Sequence, residues 1–235
     1  MRAAAEDARD LHDLVARRVA GEPLEQVVGW AELAGVRVGL QPGVFVPRRR
    51  STLLVRAALD HLAGTADDRP AVVVDLCCGS GALGLAVASR WGSALDLHAA
   101  DLDPVAVACA QENLAGVGTA HEGDLLDAPP ADLRGRVDVM VVNAPYVPTA
   151  SLPLMPREAR DHEPVHTLDG GPDGLDLHRR VAAGAGSWVR PGGVVLLETS
   201  PEQAPGSTAA FDAAWDTVVL VDDDVAGTCV QATRR

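Results

Sequence analysis

Short apolar segments that alternate with helical segments constrain the fold of this chain more than any other feature. The segments begin at residues 71, 95, 137 and 193 and read AVVVDL, LDLHAAD, VDVMVV and GVVLLET. Helical patterns fill the intervals, the last of them across residues 175–187. Uninterrupted apolar strands separated by helices are typical of a parallel sheet that is covered on both faces.

The end of the chain indicates how this sheet closes. Residues 217–233, TVVLVDDDVAGTCVQAT, contain two short apolar stretches joined by an acidic turn. Such a pattern predicts an antiparallel strand pair. The predicted fold class is therefore α/β, with a mostly parallel seven-stranded sheet and an antiparallel hairpin at one edge.

The first 64 residues predict a short appendage ahead of a main domain at residues 65–235. Residues 6 to about 20 carry apolar side chains at helical spacing, and alternation between Trp30 and Val46 predicts a hairpin. A linking helix is predicted from Ser51 to His61. The polar stretch GTADDRP, residues 64–70, is predicted to be a hinge.

Charge and cysteine content exclude several classes of protein. The 235 residues carry a formal net charge of −13, whereas a nucleic-acid-binding protein needs clustered cations to neutralise phosphates, so nucleic acid is not an expected partner. Four scattered cysteines do not form a disulfide framework, and no signal peptide or membrane-spanning run is visible. We expect a cytoplasmic protein without a membrane partner, and the sequence leaves its oligomeric state open.

A glycine-rich turn follows the first apolar strand directly. Gly79, Gly81 and Gly84 have the spacing G-x-G-x-x-G between a strand and a helix. Glycine allows the backbone to turn tightly and to approach a ligand closely. The turn predicts a nucleotide-like ligand, and both NAD and S-adenosylmethionine fit at this level.

Three carboxylates at strand ends narrow the choice of ligand. Asp75 ends the first strand, where an acid favours a sulfonium and an ammonium group over a pyrophosphate. Asp101 is placed to accept both hydroxyls of a ribose, and Asp124 is placed to receive an adenine amino group. Helix capping or a solvated turn is the alternative for each of the three, and Asp103 is predicted to cap the helix that starts at Pro104.

The stretch Asn143-Ala-Pro-Tyr146 ends a later strand and therefore faces the same crevice. The side-chain oxygen of Asn143 and the main-chain carbonyl of Ala144 can accept the two hydrogens of an amide or amino group. Pro145 holds Ala144 in an extended conformation, and Tyr146 offers an aromatic face. The alternative is an ordinary exit from a strand with a turn-forming asparagine.

Together these motifs resemble the protein glutamine methyltransferases, which methylate a glutamine side-chain amide in peptide-chain release factors, with a sister branch that acts on a ribosomal protein. The similarity extends from about Gly21 to the carboxyl terminus. The segments that carry it are GEPLEQVVGW, GVFVPRRRSTLLV, VVDLCCGSGALGLAVA, AADLDPVAVACAQENL, GDLLD, VVNAPYVPT, REARDHEPVHTLDGGPDGLDLHRRV and GGVVLLETSPEQ. The family's Asn-Pro-Pro-Tyr motif falls on residues 143–146, and its Glu-Pro pair falls on Glu163-Pro164.

The resemblance implies a Rossmann-like class I methyltransferase that converts S-adenosylmethionine to S-adenosylhomocysteine. Its implied partner is a protein substrate, either a release factor or a ribosomal protein. The implied catalytic residues are Asn143, Ala144, Pro145 and Tyr146. The implied cofactor-binding residues are Asp75, Cys77, Gly79, Gly81, Asp101, Leu102, Asp124, Leu125 and Asn143. The implied substrate-binding residues are Asn143, Tyr146, Glu163, Pro164 and Arg48, and no metal is implied.

Three features depart from the family pattern. Ala144 stands in place of the first proline of the motif but keeps the carbonyl group, so we expect activity with a looser loop. The loop that usually reads Pro-Arg-Pro-Glu-Thr is here Pro47-Arg-Arg-Arg-Ser-Thr52, which adds cations near the expected site. The helical module that precedes the catalytic domain in the family is expected to be reduced to about one helix.

Three other readings stay open on the sequence alone. One is methylation of a nucleobase amino group or of a small molecule, since similar loops serve adenine methyltransferases. The second is a catalytically idle module that binds the cofactor and a partner protein. The third is an NAD oxidoreductase, which the glycine turn by itself permits.

Overall fold

The computed structural model describes residues 8–64, 69–92 and 95–235. The first described part contains three helices and a two-stranded antiparallel sheet. These elements are α1 (Ala8–Val19), α2 (Leu24–Val28), β1 (Trp30–Leu33), β2 (Val36–Gly39) and α3 (Thr52–Gly64). The predicted first helix, hairpin and linking helix are therefore present, and residues 65–68 of the predicted hinge lie outside the described residues.

The rest of the described chain contains seven strands, most of them separated by helices or short turns. The strands are β3 (Ala71–Leu76), β4 (Leu95–Asp101), β5 (Thr119–Glu122), β6 (Val137–Val142), β7 (Val189–Glu198), β8 (Trp215–Asp222) and β9 (Gly227–Arg234). The helices are α4 (Ala82–Trp91), α5 (Pro104–Asn113), α6 (Arg157–His162), α7 (Asp176–Ala185) and α8 (Ala204–Ala209). The sequence analysis did not predict α2, α6 or α8, because five or six residues are too few to show a helical period.

The seven strands form one sheet in the order β5-β4-β3-β6-β7-β9-β8. All neighbouring pairs from β5 to β7 are parallel, whereas β9 runs antiparallel to both β7 and β8. The predicted mostly parallel sheet with an antiparallel edge hairpin is confirmed. This order places β3, β6 and β7 at the centre, so their carboxyl ends share one crevice.

Both faces of the sheet carry an apolar core. On β3, Val73 packs into one core with α3 and α4, while Val72 and Val74 pack into the other with α7. Alternate side chains of a strand point to opposite faces, so a strand in the middle of such a sheet is apolar throughout. The continuous apolar runs in the sequence follow from this double burial.

Local signals end and begin the elements around the crevice. Asp103 accepts a hydrogen bond from the backbone N–H of Val105 at 2.8 Å, which confirms it as the N-cap of α5.

All four cysteines are free thiols. Within the described part of the chain, no helix is long and apolar enough to cross a membrane.

Candidate active site

A cavity of about 710 Å³, here called the larger cavity, opens at the carboxyl ends of β3, β4 and β6. It is lined by eight of the residues predicted to bind a cofactor or to act in catalysis. These are Cys77, Gly79, Asp101, Leu102, Asp124, Leu125, Asn143 and Pro145. Residues from four separate segments of the sequence are thus brought to one place.

The glycine turn after β3 depends on left-handed backbone. Gly79 has φ +54° and Gly81 has φ +73°, values that glycine adopts without steric cost. A Cβ atom on Gly81 would lie 3.2 Å from Leu114 Cγ and 3.3 Å from Ala110 Cβ. Gly79 borders the larger cavity. Gly81 has no side chain, which allows the start of α4 to pack closely against α5.

Asp75 lies directly beneath this turn and is fully buried. Its Oδ2 accepts a hydrogen bond from the backbone N–H of Gly84 at 2.9 Å, and its Oδ1 has no hydrogen-bond partner among the described residues. Burial raises the pKa of this carboxyl to about 8. The side chain ties the turn to α4 and does not border the larger cavity.

Asp101, at the end of β4, does border the larger cavity. Its Oδ2 accepts from the N–H of Gly79 at 2.9 Å, and its Oδ1 accepts from the N–H of Asp103 at 3.0 Å. Burial raises the pKa of the Asp101 carboxyl above its ordinary value. The two hydrogen bonds fix the carboxylate, and the neighbouring Leu102 places an exposed apolar side chain on the rim.

Asp124 lies in the segment that follows β5. Its Oδ2 accepts a hydrogen bond from Arg180 Nη2 at 2.8 Å, and about half of each side chain is exposed. The next residue, Leu125, is buried and has φ +50°, an uncommon backbone conformation for a side-chain-bearing residue. A ligand that bonds to Asp124 must therefore share its carboxylate with Arg180.

The lining of the larger cavity is acidic. Its carboxylates belong to Asp101, Asp103, Asp124, Asp169 and Asp176. Its cationic or potentially cationic groups belong to Arg180 and His166, each of which already contacts one of these carboxylates. Such a lining favours a cationic ligand with hydroxyl groups and disfavours a pyrophosphate.

A second cavity of about 350 Å³, here called the smaller cavity, adjoins the first. The two cavities share four lining residues, Phe45, Asn143, Pro145 and Thr167. Asn143 Nδ2 donates a hydrogen bond to the hydroxyl of the buried Ser51 at 3.4 Å, and no hydrogen bond within the described chain engages its Oδ1. The Asn143 carboxamide therefore stands at the junction of the cavities with its oxygen available as an acceptor.

Ala144 and Tyr146 line the smaller cavity on either side of Pro145. Ala144 is buried, and no described N–H group donates to its carbonyl oxygen. The Tyr146 hydroxyl donates to Glu198 Oε1 at 3.2 Å, and the Tyr146 carbonyl accepts from Gln203 Nε2 at 2.8 Å. Burial, followed by the nearby Glu198 carboxylate, raises the pKa of Tyr146.

Arg48 and Glu163 form a pair beside the smaller cavity. Arg48 Nη2 lies 2.5 Å and 2.6 Å from the two carboxylate oxygens of Glu163, which also accepts from the N–H of Val46 at 3.3 Å. Arg48 lines the smaller cavity, whereas Glu163 is buried and lines neither cavity. Pro164 precedes the turn Val165–Thr167, whose residues line the larger cavity.

Known proteins resemble this chain in sequence. A family model described as "Methyltransferase small domain" matches residues 36–153. A release factor glutamine methyltransferase from Streptomyces coelicolor is 40% identical over 192 residues, which cover 81% of this chain and 67% of that protein. The chain belongs to the release factor glutamine methyltransferase family. It spans about two thirds of the length of the curated relatives it matches, 65% in the case of the Moorella thermoacetica enzyme.

Two further proteins resemble this chain, one in sequence and one in fold. A 4-amino-L-phenylalanine/4-methylamino-L-phenylalanine methyltransferase from Streptomyces pristinaespiralis is 36% identical over 203 residues, 85% of this chain and 68% of that protein. The crystal structure of a ribosomal protein L11 methylase from Lactobacillus delbrueckii subsp. bulgaricus superimposes with a TM-score of 0.51 at 20% identity, covering 80% of each chain. The second likeness shows the methyltransferase fold.

Several residues in or next to the two cavities were not identified from the sequence. Phe45 and Thr167 border both cavities, Arg180 contacts Asp124, and Glu198 contacts Tyr146. Glu198 had a usable signal, because it is an acid at the carboxyl end of an apolar strand, as are Asp75 and Asp101. Phe45 and Thr167 lie in loops without periodicity, where the sequence alone gives no such signal.

Proposed function

We propose that this chain is an S-adenosylmethionine-dependent methyltransferase that modifies the side-chain amide nitrogen of a glutamine in a protein, with a release factor or a ribosomal protein as substrate. The observation that carries the proposal is the junction of the two cavities at Asn143. A cofactor in the larger cavity and a side chain in the smaller one would meet there. The relatives' names supply the acceptor, and the −13 net charge supports a protein rather than a nucleic acid in a cytoplasmic setting.

The residues of the larger cavity fit this cofactor. Its volume lies in the range of small-molecule sites, and its acidic lining suits a ligand with a sulfonium and an ammonium group. Asp101 would bind the ribose hydroxyls, Asp124 the adenine amino group, and Leu102 and Leu125 the faces of the ring. When bound, S-adenosylmethionine supplies an electrophilic methyl group and is converted to S-adenosylhomocysteine.

The chain's own contribution is to hold the acceptor amide. An amide nitrogen is a weak nucleophile, because its lone pair is delocalised into the carbonyl group. Asn143 Oδ1 and the Ala144 carbonyl would each accept one amide hydrogen, which fixes the nitrogen and favours the positive charge that develops on it. Tyr146 would pack against the amide plane, and Arg48, held by Glu163, would border the entrance.

Methyl-labelled cofactor tests the proposal directly. The chain is incubated with a bacterial release factor and, separately, with ribosomal proteins, and mass spectrometry locates the added methyl group. We expect label on one glutamine, and an Asn143→Ala variant should transfer it at least about 100-fold more slowly. Labelling by the variant at the wild-type rate would remove Asn143 from the mechanism.

The sequence offers a matched control, because Asn113 is its only other asparagine. Asn113 Nδ2 donates to the carbonyls of Gly39 and Ser80, and Asn113 lines neither cavity. An Asn113→Ala variant should lose stability and keep the rate of methyl transfer while it is folded. If no acceptor is methylated, binding of S-adenosylhomocysteine would indicate a module that binds the cofactor and transfers nothing.

A second candidate function is N-methylation of a small aromatic amine. Two observations favour it: the smaller cavity, at about 350 Å³, is within the range of small-molecule pockets, and a relative with 36% identity is named for an aminophenylalanine substrate. The same two acceptors, Asn143 and Ala144, would hold an amino group equally well. Faster methylation of 4-aminophenylalanine than of a release factor would select this function.

A further inference from the structure

Glu198 is a buried carboxylate that neither the sequence motifs nor the proposed reaction assigns to a role. It is the last residue of β7, beside the exit of β6 that carries Asn143, and its side chain is 1% exposed. A buried carboxylate is costly unless charged or hydrogen-bonding partners compensate for its lost hydration. Its partners therefore indicate its purpose.

One oxygen of Glu198 holds two side chains. Oε1 accepts from Arg50 Nε at 3.0 Å and from the Tyr146 hydroxyl at 3.2 Å. The Arg50 guanidinium also lies over the Tyr146 ring, 5.8 Å from its centroid. The second oxygen, Oε2, is buried without a partner among the described residues. The contacts are thus concentrated on the oxygen that faces Arg50 and Tyr146.

Both side chains that Glu198 holds line the smaller cavity, whereas Glu198 lines neither cavity. Arg50 comes from the turn before α3, and Tyr146 comes from the loop after β6. We infer that Glu198 is a positioning residue, which fixes Arg50 and Tyr146 as parts of the acceptor site. The inference rests on the proposed function, because it assigns the smaller cavity to the methyl acceptor.

Kinetics with a glutamine-containing release factor test this role. A Glu198→Gln variant keeps the size of the side chain but loses its charge, so Arg50 and Tyr146 are less firmly fixed. We expect the KM for the release factor to rise about tenfold, with a smaller fall in kcat and an unchanged KM for S-adenosylmethionine. An unchanged KM for the release factor would overturn the inference.

Asp138 provides the control for loss of a buried carboxylate. It is 3% exposed, and it lies on β6 at the opposite end from Asn143. An Asp138→Asn variant should lose stability without a change in the KM for the release factor. A rise in that KM equal to the rise in Glu198→Gln would mean that general loosening, and not positioning, explains the effect.

A spectroscopic measurement is independent of any acceptor, because Tyr146 is the only tyrosine of the chain. The groups that face it are Glu198, Arg50 and the ring of the buried His178, at 6.2 Å between centroids. Burial, and after it the Glu198 carboxylate, raises the pKa of Tyr146, so Glu198→Gln should shift the tyrosinate absorbance to lower pH.

The titration is followed together with circular dichroism, so that only folded protein is compared, and a Tyr146→Phe variant gives the blank. A tyrosinate curve that does not move in Glu198→Gln would overturn the inference even if the release factor is methylated. Failure of the wild type to methylate any acceptor, together with a shifted curve, would instead overturn the proposed function. The two failures are therefore distinguishable.

Discussion

Two buried carboxylates occupy opposite ends of the adjacent strands β3 and β6, and their surroundings differ sharply. Asp138, at the amino end, accepts hydrogen bonds from Arg69 at 2.7 and 2.9 Å, from Arg190 at 2.5 Å and from the N–H of Val72 at 2.7 Å. Asp75, at the carboxyl end, accepts one hydrogen bond, from Gly84.

The pKa values follow this difference. Burial alone would raise the pKa of Asp138, but the hydrogen bonds from Arg69 and Arg190 hold it below its ordinary value. Burial raises the pKa of Asp75 to about 8, because no cation among the described residues compensates for it. Glu198, also at the carboxyl end, likewise keeps one oxygen without a partner in the described part of the chain. The amino end of the sheet is arranged for stability, whereas the carboxyl end leaves buried polar groups incompletely satisfied behind the cavities where we propose that ligands bind.

Removal of the Asp138 carboxylate, which accepts several hydrogen bonds, should have the largest effect on stability. An Asp138→Ala variant leaves Arg69 and Arg190 without this partner and leaves the N–H of Val72 buried and unpaired. We expect a loss of about 3 kcal/mol in the free energy of unfolding, measured by urea denaturation. Binding of S-adenosylhomocysteine to the folded variant should be unchanged, and weaker binding would show that the two ends are coupled.

The pH dependence of stability should separate the two carboxylates. The folded pKa of Asp75, about 8, lies above its ordinary value of 3.8, so its contribution is full below pH 3.8 and is lost as the pH rises towards 8. An Asp75→Asn variant should therefore gain stability relative to wild type as the pH rises from 4 to 8. Urea midpoints measured across this range test the direction.

Asp138→Asn should show the opposite dependence on pH. The folded pKa of Asp138 lies below 3.8, so its contribution is present above that pH and is lost as the pH falls through the folded value. The variant should be less stable than wild type at neutral pH and should approach it in acid. Parallel curves for Asp75→Asn and Asp138→Asn would contradict the contrast between the two ends.

Alanine substitution of one glycine at each end of the sheet tests the same comparison, with smaller expected effects. A Cβ atom on Gly170 would lie 2.7 Å from Tyr146 Cα and 2.8 Å from the Pro145 carbonyl oxygen, at the carboxyl end. A Cβ atom on Gly193 would lie 2.8 Å from the Val137 carbonyl oxygen, at the amino end. Neither contact can be relieved by rotation of a side chain, so the backbone must move in both alanine variants.

Gly170→Ala should therefore lower kcat/KM for the methyl acceptor about tenfold, because it displaces Pro145 and Tyr146. Gly193→Ala should cost about 1 kcal/mol of stability with kcat/KM retained. Gly186→Ala is the control for both, since no atom of the described residues lies within 4 Å of its added Cβ. Equal losses of activity in Gly170→Ala and Gly193→Ala would contradict the proposal that the acceptor site lies at the carboxyl end of the sheet.

The sequence predicted the features that local patterns encode. Apolar runs gave the strands, the acid before Pro104 gave the cap of α5, and the glycine turn gave one wall of the larger cavity. It did not predict contacts between distant segments: Arg50 and Glu198 are 148 residues apart, and Arg48 and Glu163 are 115 residues apart. No local periodicity records which loops meet. The family resemblance named Arg48, Glu163 and Tyr146 as substrate-binding residues, but the contacts of Arg50 and Glu198 could be recognised only from the folded chain.

The narrow boundary between the cavities has an evolutionary consequence. Among the described residues, Phe45, Asn143, Pro145 and Thr167 belong to both, and the rest of the smaller cavity is lined by segments outside the sheet, including α6 and the turn before α3. Such segments can change in sequence while the lining of the larger cavity stays the same. A lineage could therefore acquire a new acceptor by changing these segments while the lining of the larger cavity is kept.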